Sequence, residues 1–218
     1  FRPHRPHREG RLTLAAAPRR TQAQRSGETR ARLLAAAIRC LHTRGYAAAT
    51  TLAVAQDAGV SRGAMLHQFP TRTDLMLFVV RSVYEEELHA YARHMAAIPD
   101  PREQLLALPE VVWEVLSRPS GVAVLEIMQG ARSDPELAER LRPLQARIEA
   151  NSFGQVGRLA QAAGRAASPA LIRLVVWAAR GLSIAQTLSP DPAAARDSIR
   201  LLRGQMALLL DAPSGEGS

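Results

Sequence analysis

TTLAVAQDAGVSRGAMLHQFPTR, residues 50–72, decides the reading of the whole chain. An apolar helical run (Val54, Ala55, Ala58) stops at Gly59 and another begins after Ser61, so the backbone must turn sharply between them. Glycine takes the positive φ that ends a helix at little steric cost. The pattern is a helix-turn-helix. Thr50 is placed to cap the first helix and Ser61 the second. In the second helix Ala64, Met65 and Phe69 recur three to four apart as an inner face, leaving Arg62, Gly63, Leu66, His67 and Gln68 outward. Such a face suits a helix lying in the DNA major groove. Arg62 offers donors to guanine edges or phosphates, Gln68 a bidentate pattern for adenine, and Gly63 a close backbone approach.

Around this core, residues 28–76 (ETRARLLAAAIRCLHTRGYAAATTLAVAQDAGVSRGAMLHQFPTRTDLM) resemble the DNA-binding domain of the TetR family of bacterial regulators. The resemblance rests on a first helix ending in Arg44-Gly45-Tyr46, the Thr50 cap, Ala58-Gly59-Val60-Ser61, and Gly63-Ala64 to Phe69-Pro70 followed by the basic Arg72. It implies a DNA-contacting set of Thr50, Ser61, Arg62, Gly63, Ala64, Leu66, His67, Gln68 and Arg72, with Arg72 on phosphate. Two positions depart from the family pattern: Leu66 stands where a phosphate-contacting tyrosine is usual, and Ala53 replaces the acid that would complete a capping box with Thr50.

Charge supports a nucleic-acid partner through its distribution more than its total. The net charge is +8, and every one of the 28 basic Lys+Arg positions is arginine, a bias that a GC-rich genome produces by itself. Residues 1–32 carry nine of these arginines against Glu9 and Glu28, so the excess lies beside the helix-turn-helix, where counterion release aids DNA binding. Residues 1–27 lack apolar periodicity and are expected to be a disordered basic tail, read either as a DNA-tracking arm or as residues foreign to the native start. A single cysteine, Cys40, excludes an intrachain disulfide and a cysteine zinc site. No apolar run is expected to span a membrane, since Arg, Glu or Pro interrupts each. With no signal-peptide core at the basic N-terminus, the expected location is cytoplasmic.

A helix over 28–44 braces the reader, and a long helix over 72–95, capped by Thr71 or Thr73, connects it to the rest of the chain. Glu85, His89 and His94 on that rod read as a solvated face in preference to a metal site. Beyond Ile98-Pro99-Asp100-Pro101 the pattern is apolar-rich helices over 102–116, 122–132, from 135 towards Gly164, 169–188 and 193–210. The fold class is therefore all-α with about nine helices: a helix-turn-helix domain over 28–75, a ligand-binding and dimerisation domain over 76–212, and a polar tail over 213–218. Candidate ligand-binding residues are Trp113, Glu126, Gln129 and Phe153, because aromatics are few and the two polar groups interrupt an apolar helix. Each also has a core or structural reading.

The helices over 169–188 and 193–210 carry more apolar surface than one copy covers, and the resemblance implies a homodimer through them. It also implies a repressor released from a pseudo-palindromic operator by a small molecule, with apolar or amphipathic chemistry expected; a dimeric regulator that senses nothing is the alternative. No catalytic group, cofactor or metal is expected, because the chain has no Gly-rich loop with Lys and no HExxH.

Overall fold

In a computed structural model of the chain, residues 22–166, 168–189, 191 and 193–211 are described. They form nine α-helices: α1 (Gln22–Ala48), α2 (Thr51–Asp57), α3 (Arg62–Gln68), α4 (Arg72–Ala96), α5 (Pro101–Leu116), α6 (Pro119–Gly130), α7 (Pro135–Ala162), α8 (Pro169–Leu188) and α9 (Ala194–Asp211). The all-α class follows from helical periodicity throughout. Most of the basic tail expected over 1–27, and the tail over 213–218, lie outside the described residues.

Short polar side chains start most of these helices. Thr50, Ser61, Thr71, Asp100, Asp134 and Ser168 each accept a backbone N–H from the first turn of their helix. Such a cap stabilises a helix by about 1 kcal/mol. At α4 the cap is reciprocal: the Asp74 N–H donates to Thr71 Oγ1 at 3.0 Å, and the Thr71 N–H donates to Asp74 Oδ2 at 3.1 Å. Thr71, then, is the cap; Thr73 is buried. Gly59, at φ 61°, makes the turn between α2 and α3 as its position predicts.

Two differences from expectation concern α1 and α8. Helix α1 begins six residues before Glu28, at Gln22, because its polar first turns are fastened by neighbours that periodicity does not reveal: Gln68 Nε2 donates to Ser26 Oγ at 2.9 Å, and Thr29 Oγ1 to the Arg25 carbonyl at 2.8 Å. Helix α8 has a mean hydropathy of 1.3 and is, by length and composition, apolar enough to cross a membrane, contrary to the expectation that no run is. Arg173 and Arg180 interrupt it without lowering that mean enough. One such helix is by itself a weak sign of a membrane segment.

The main core runs without a break from the reader into the body of the molecule. Leu33 and Leu41 of α1, Val54 of α2 and Met65 of α3 are buried against Leu75, Val79 and Val83 of α4, Ile127 of α6 and Leu137 of α7. Each fully buried large aliphatic contributes about 1.5–3 kcal/mol. Helix α1 packs mainly on α6. A second cluster joins Val112 and Leu116 of α5, Val175 and Ala179 of α8, and Met206 of α9. The boundary expected at 75–76 thus falls inside α4, within a continuous core.

Candidate nucleic-acid interface and interior cavity

Helix α3 projects from the head with Ser61, Arg62, Gly63, Leu66 and His67 exposed, and Thr50 is exposed at the start of α2. Ala64 is half-buried, its N–H held at 3.2 Å by Ser61 Oγ. Met65 and Phe69 are buried on the opposite side, which fixes the roll of the helix. Arg30 of α1 lies over the Phe69 and Phe78 rings, 5.1 and 4.6 Å from their centroids. The outward face holds one arginine, one histidine and a glycine with open space at its Cβ position. That combination offers donors and close approach to a polyanion.

Two residues assigned to that face sit elsewhere. Gln68 is half-buried and its amide is engaged with Ser26, because α1 extends far enough back to reach it. Arg72 stacks on the Tyr46 ring at 3.9 Å, donates through Nε to the Ala49 carbonyl at 3.1 Å, and reaches the Tyr46 carbonyl through Nη2. Gly45 (φ 77°) breaks the helical path just before these carbonyls; the Tyr46 carbonyl also accepts the Ala49 N–H at 3.1 Å, and Arg72 adds donors to both. Arg72 therefore braces the end of α1 against α4, a role that its basic character alone did not separate from phosphate contact.

Tyr46 is the joint between head and body. Its backbone N–H donates to Glu126 Oε2 at 3.0 Å and its hydroxyl to Asp134 Oδ2 at 2.8 Å. A Cβ at Gly130 would lie 2.3 Å from ring carbons of Tyr46, so the ring rests on bare backbone. Burial, then the bond to Asp134, pushes the Tyr46 hydroxyl up to about 12. The Leu137 N–H and the Tyr46 hydroxyl hold the Asp134 carboxyl below its ordinary range. Arg140 donates to Asp74 Oδ1 at 2.7 Å, tying α7 to the start of α4 and lowering Asp74 likewise.

In the body, α4, α5, α7, α8 and α9 line a partly open cavity of about 460 Å³ walled by Leu88, Tyr91, Leu105, Leu108, Leu171 and Val175 among others. This volume and apolar lining are those of a small-molecule site. The four candidate ligand residues fare differently. Trp113 packs beside the second core cluster and lines neither this cavity nor the smaller one beside it. Glu126 serves Tyr46 instead, and Gln129 is exposed, not buried, because it falls on the solvent side of α6. Phe153 lines only a smaller neighbouring cavity of about 70 Å³ and has Arg173 over its ring at 5.5 Å.

Three polar residues of that smaller cavity escaped the sequence reading: Tyr84, Glu87 and Arg180. The signal was present in phase. Glu87 follows Val79 and Val83 at steps of four, and Arg180 follows Ile172 and Val176 in the same way. Among the described residues no group of three or more His, Cys, Asp or Glu could hold a metal, and His94 instead faces Glu114 at 3.3 Å. Cys40 is fully buried.

Residues 33–79 match the model of the bacterial regulatory proteins, tetR family. An uncharacterized HTH-type transcriptional regulator of Mycobacterium tuberculosis, Rv2912c, is 29% identical over 185 residues, covering 84% of this chain and 95% of the relative. The HTH-type transcriptional regulator BetI of Stenotrophomonas maltophilia is 31% identical over 134 residues, 60% of this chain and 68% of the relative. A crystal structure of the multidrug binding protein EbrR complexed with imidazole superposes with a TM-score of 0.59 at 26% identity, over 86% of this chain and 98% of that one.

Proposed function

The chain belongs to the TetR family of bacterial transcriptional regulators, and from that premise we propose that it is a homodimeric repressor released from a pseudo-palindromic operator by a small apolar or amphipathic molecule. The helix-turn-helix binds DNA, and the protein is a regulator, not an enzyme. The observation that carries the finer reading is the path of α4. Its capped start is packed against α3 through Phe69 and Phe78, whose centroids lie 4.8 Å apart, and Leu88, Tyr91 and Met95 near its end line the large cavity. An occupant that favours one position of this helix biases the position of the reader, which is the thermodynamic content of release by a ligand.

Exposed apolar residues support the dimer. Leu174, Trp177, Ile184 and Leu188 of α8 and Leu201, Leu208 and Leu209 of α9 are each 39–83% accessible. Two copies meeting through α8 and α9 would cover them and account for the hydropathy of α8 without a membrane. Arg62, Gly63, Leu66 and His67 are assigned to the major groove, with Thr50, Ser61 and Ala64 beside the phosphates. Gln68 and Arg72 keep only the donor capacity that their internal bonds leave. Acting on DNA, the protein works in the cytoplasm. A dimer that senses nothing is the second reading; a cavity of about 460 Å³ with an apolar lining speaks for sensing over it.

Fluorescence anisotropy on the DNA upstream of its own gene, against a scrambled duplex at two salt concentrations, tests this. The expected result is selective binding of two protomers per site, weakened by about 1–3 kcal/mol in Arg62→Ala on guanine-bearing operators only. Equal, steeply salt-dependent binding to both duplexes would refute specific recognition.

A further inference from the structure

Beside the apolar cavity lies a charged annex, the smaller cavity of about 70 Å³. Tyr84 Oη, Glu87 Oε1 and Arg180 Nη1 are buried there, and none has a hydrogen-bond partner. Glu87 and Arg180 are each only 8% exposed. An unanswered buried polar atom costs stability, more so when charged, so three in one small cavity call for a partner. Tyr91, Ser152, Ile172 and Val176 line both cavities, so a ligand in the large one abuts the annex.

We propose that the annex receives the carboxylate of an amphipathic acid whose apolar body occupies the large cavity, with Arg180 and Tyr84 donating to the carboxylate and Glu87 sharing a proton with it. The proposal rests on reading the large cavity as the effector site.

Charge selects the acid over other head groups. On the annex wall Arg173 is paired with Glu149 at 3.8 Å, leaving Arg180 to be balanced by Glu87. Burial raises the Glu87 carboxyl from its ordinary 4.5 to about 7, against the opposing pull of Arg180 and Arg118 and with a further push from Glu86. Near neutral pH the neutral acid is therefore already well populated. With Glu87 protonated, all three side chains can donate, and Arg180 is an uncompensated buried cation. A carboxylate answers both demands. An ammonium head would need Glu87 ionised and would meet Arg180. An alcohol would leave the buried charge unbalanced.

Isothermal titration of the full-length protein with decanoate, decanol and decylammonium distinguishes these cases, using buffers of different ionisation enthalpy and a pH series. Decanoate is expected to bind most tightly, to take up protons near neutral pH, and to weaken by up to about tenfold per pH unit above the Glu87 titration, while decanol stays flat. Glu87→Gln retains a donor and should keep decanoate binding while losing its pH dependence. Arg180→Met should weaken decanoate about tenfold or more and leave decanol alone. Tighter binding of decylammonium, a flat decanoate profile, or equal weakening of all three probes by Arg180→Met overturns the proposal while the cavity stands. If no probe binds the wild type at all, the effector reading falls with it. Should Arg180→Met fail to fold, the wild-type pH profile decides alone.

Discussion

Replacing Gly130 by alanine tests the joint between head and body by a single methyl group. The added Cβ would sit 2.3, 2.3 and 2.7 Å from Cδ1, Cγ and Cδ2 of Tyr46, well inside any real carbon contact. The ring cannot swing aside cheaply. Its hydroxyl is bonded to Asp134, its backbone N–H to Glu126, and Arg72 covers its face. Overpacking of this kind costs about 1–3 kcal/mol. In a chain of this size about 2 kcal/mol lowers Tm by roughly 4–8 °C. Gly157, inside α7 near its C-terminal end with nothing within 4 Å of its Cβ position, supplies the internal control. Gly157→Ala should raise stability by about 0.5–1 kcal/mol through helix propensity alone. Thermal unfolding followed by circular dichroism measures both, and operator affinity should fall in Gly130→Ala but not in Gly157→Ala. In a Tyr46→Ala background the penalty of Gly130→Ala should vanish. Opposite signs at the two glycines are required; a Gly130→Ala protein as stable as wild type, or an undiminished penalty without the ring, would refute this account of the joint.

Three more outcomes are expected. Arg72→Ala should cost about 1–3 kcal/mol in chemical denaturation, because it strips donors from the Ala49 and Tyr46 carbonyls, whereas a purely phosphate-contacting arginine would leave stability unchanged and alter only the salt slope of DNA binding. Because the folded-state pKa of Glu87 is raised, its stabilising contribution is present below 4.5 and is lost as pH rises to about 7. Wild-type stability relative to Glu87→Gln should therefore decline across that window, and a constant difference would contradict it. Leu201→Glu, at a side chain 66% exposed, should leave the Tm of the protomer nearly unchanged while sedimentation velocity shifts from dimer to monomer; a persisting dimer would move the interface away from α9.

The helix-turn-helix was legible because its signals are local. Gly59 must take positive φ, Thr50 and Ser61 cap the helices they precede, and the inner face of α3 repeats at helical spacing. Helix α8 was legible for the same reason, Pro169 and Ser189 bracketing one apolar run. What escaped was everything decided by a partner far along the chain. Gln68 looked free until α1 proved long enough to bring Ser26 to it, and Arg72 looked like a phosphate ligand until the fold set it against the Ala49 and Tyr46 carbonyls beyond the break at Gly45. Glu126 and Gln129 looked alike as interruptions of an apolar helix; a difference in helical phase sends one to Tyr46 and the other to solvent. Glu87 was hidden by its neighbours, since Glu85 and Glu86 make the triplet resemble a solvated face although its phase is that of Val79 and Val83.

The bond from the Tyr46 N–H to Glu126 bears on how far this head is portable. The acceptor for that N–H is residue 126, on another helix. A reading head excised from this chain and grafted onto a different body would arrive with a missing acceptor, a tyrosine ring seeking a glycine, and a hydroxyl seeking an acid. Hybrids that exchange operator specificity between relatives should accordingly be compatible only where the host offers the equivalents of Glu126, Gly130 and Asp134. That short stretch at the end of α6 and the start of α7 is the socket into which any transplanted head must fit.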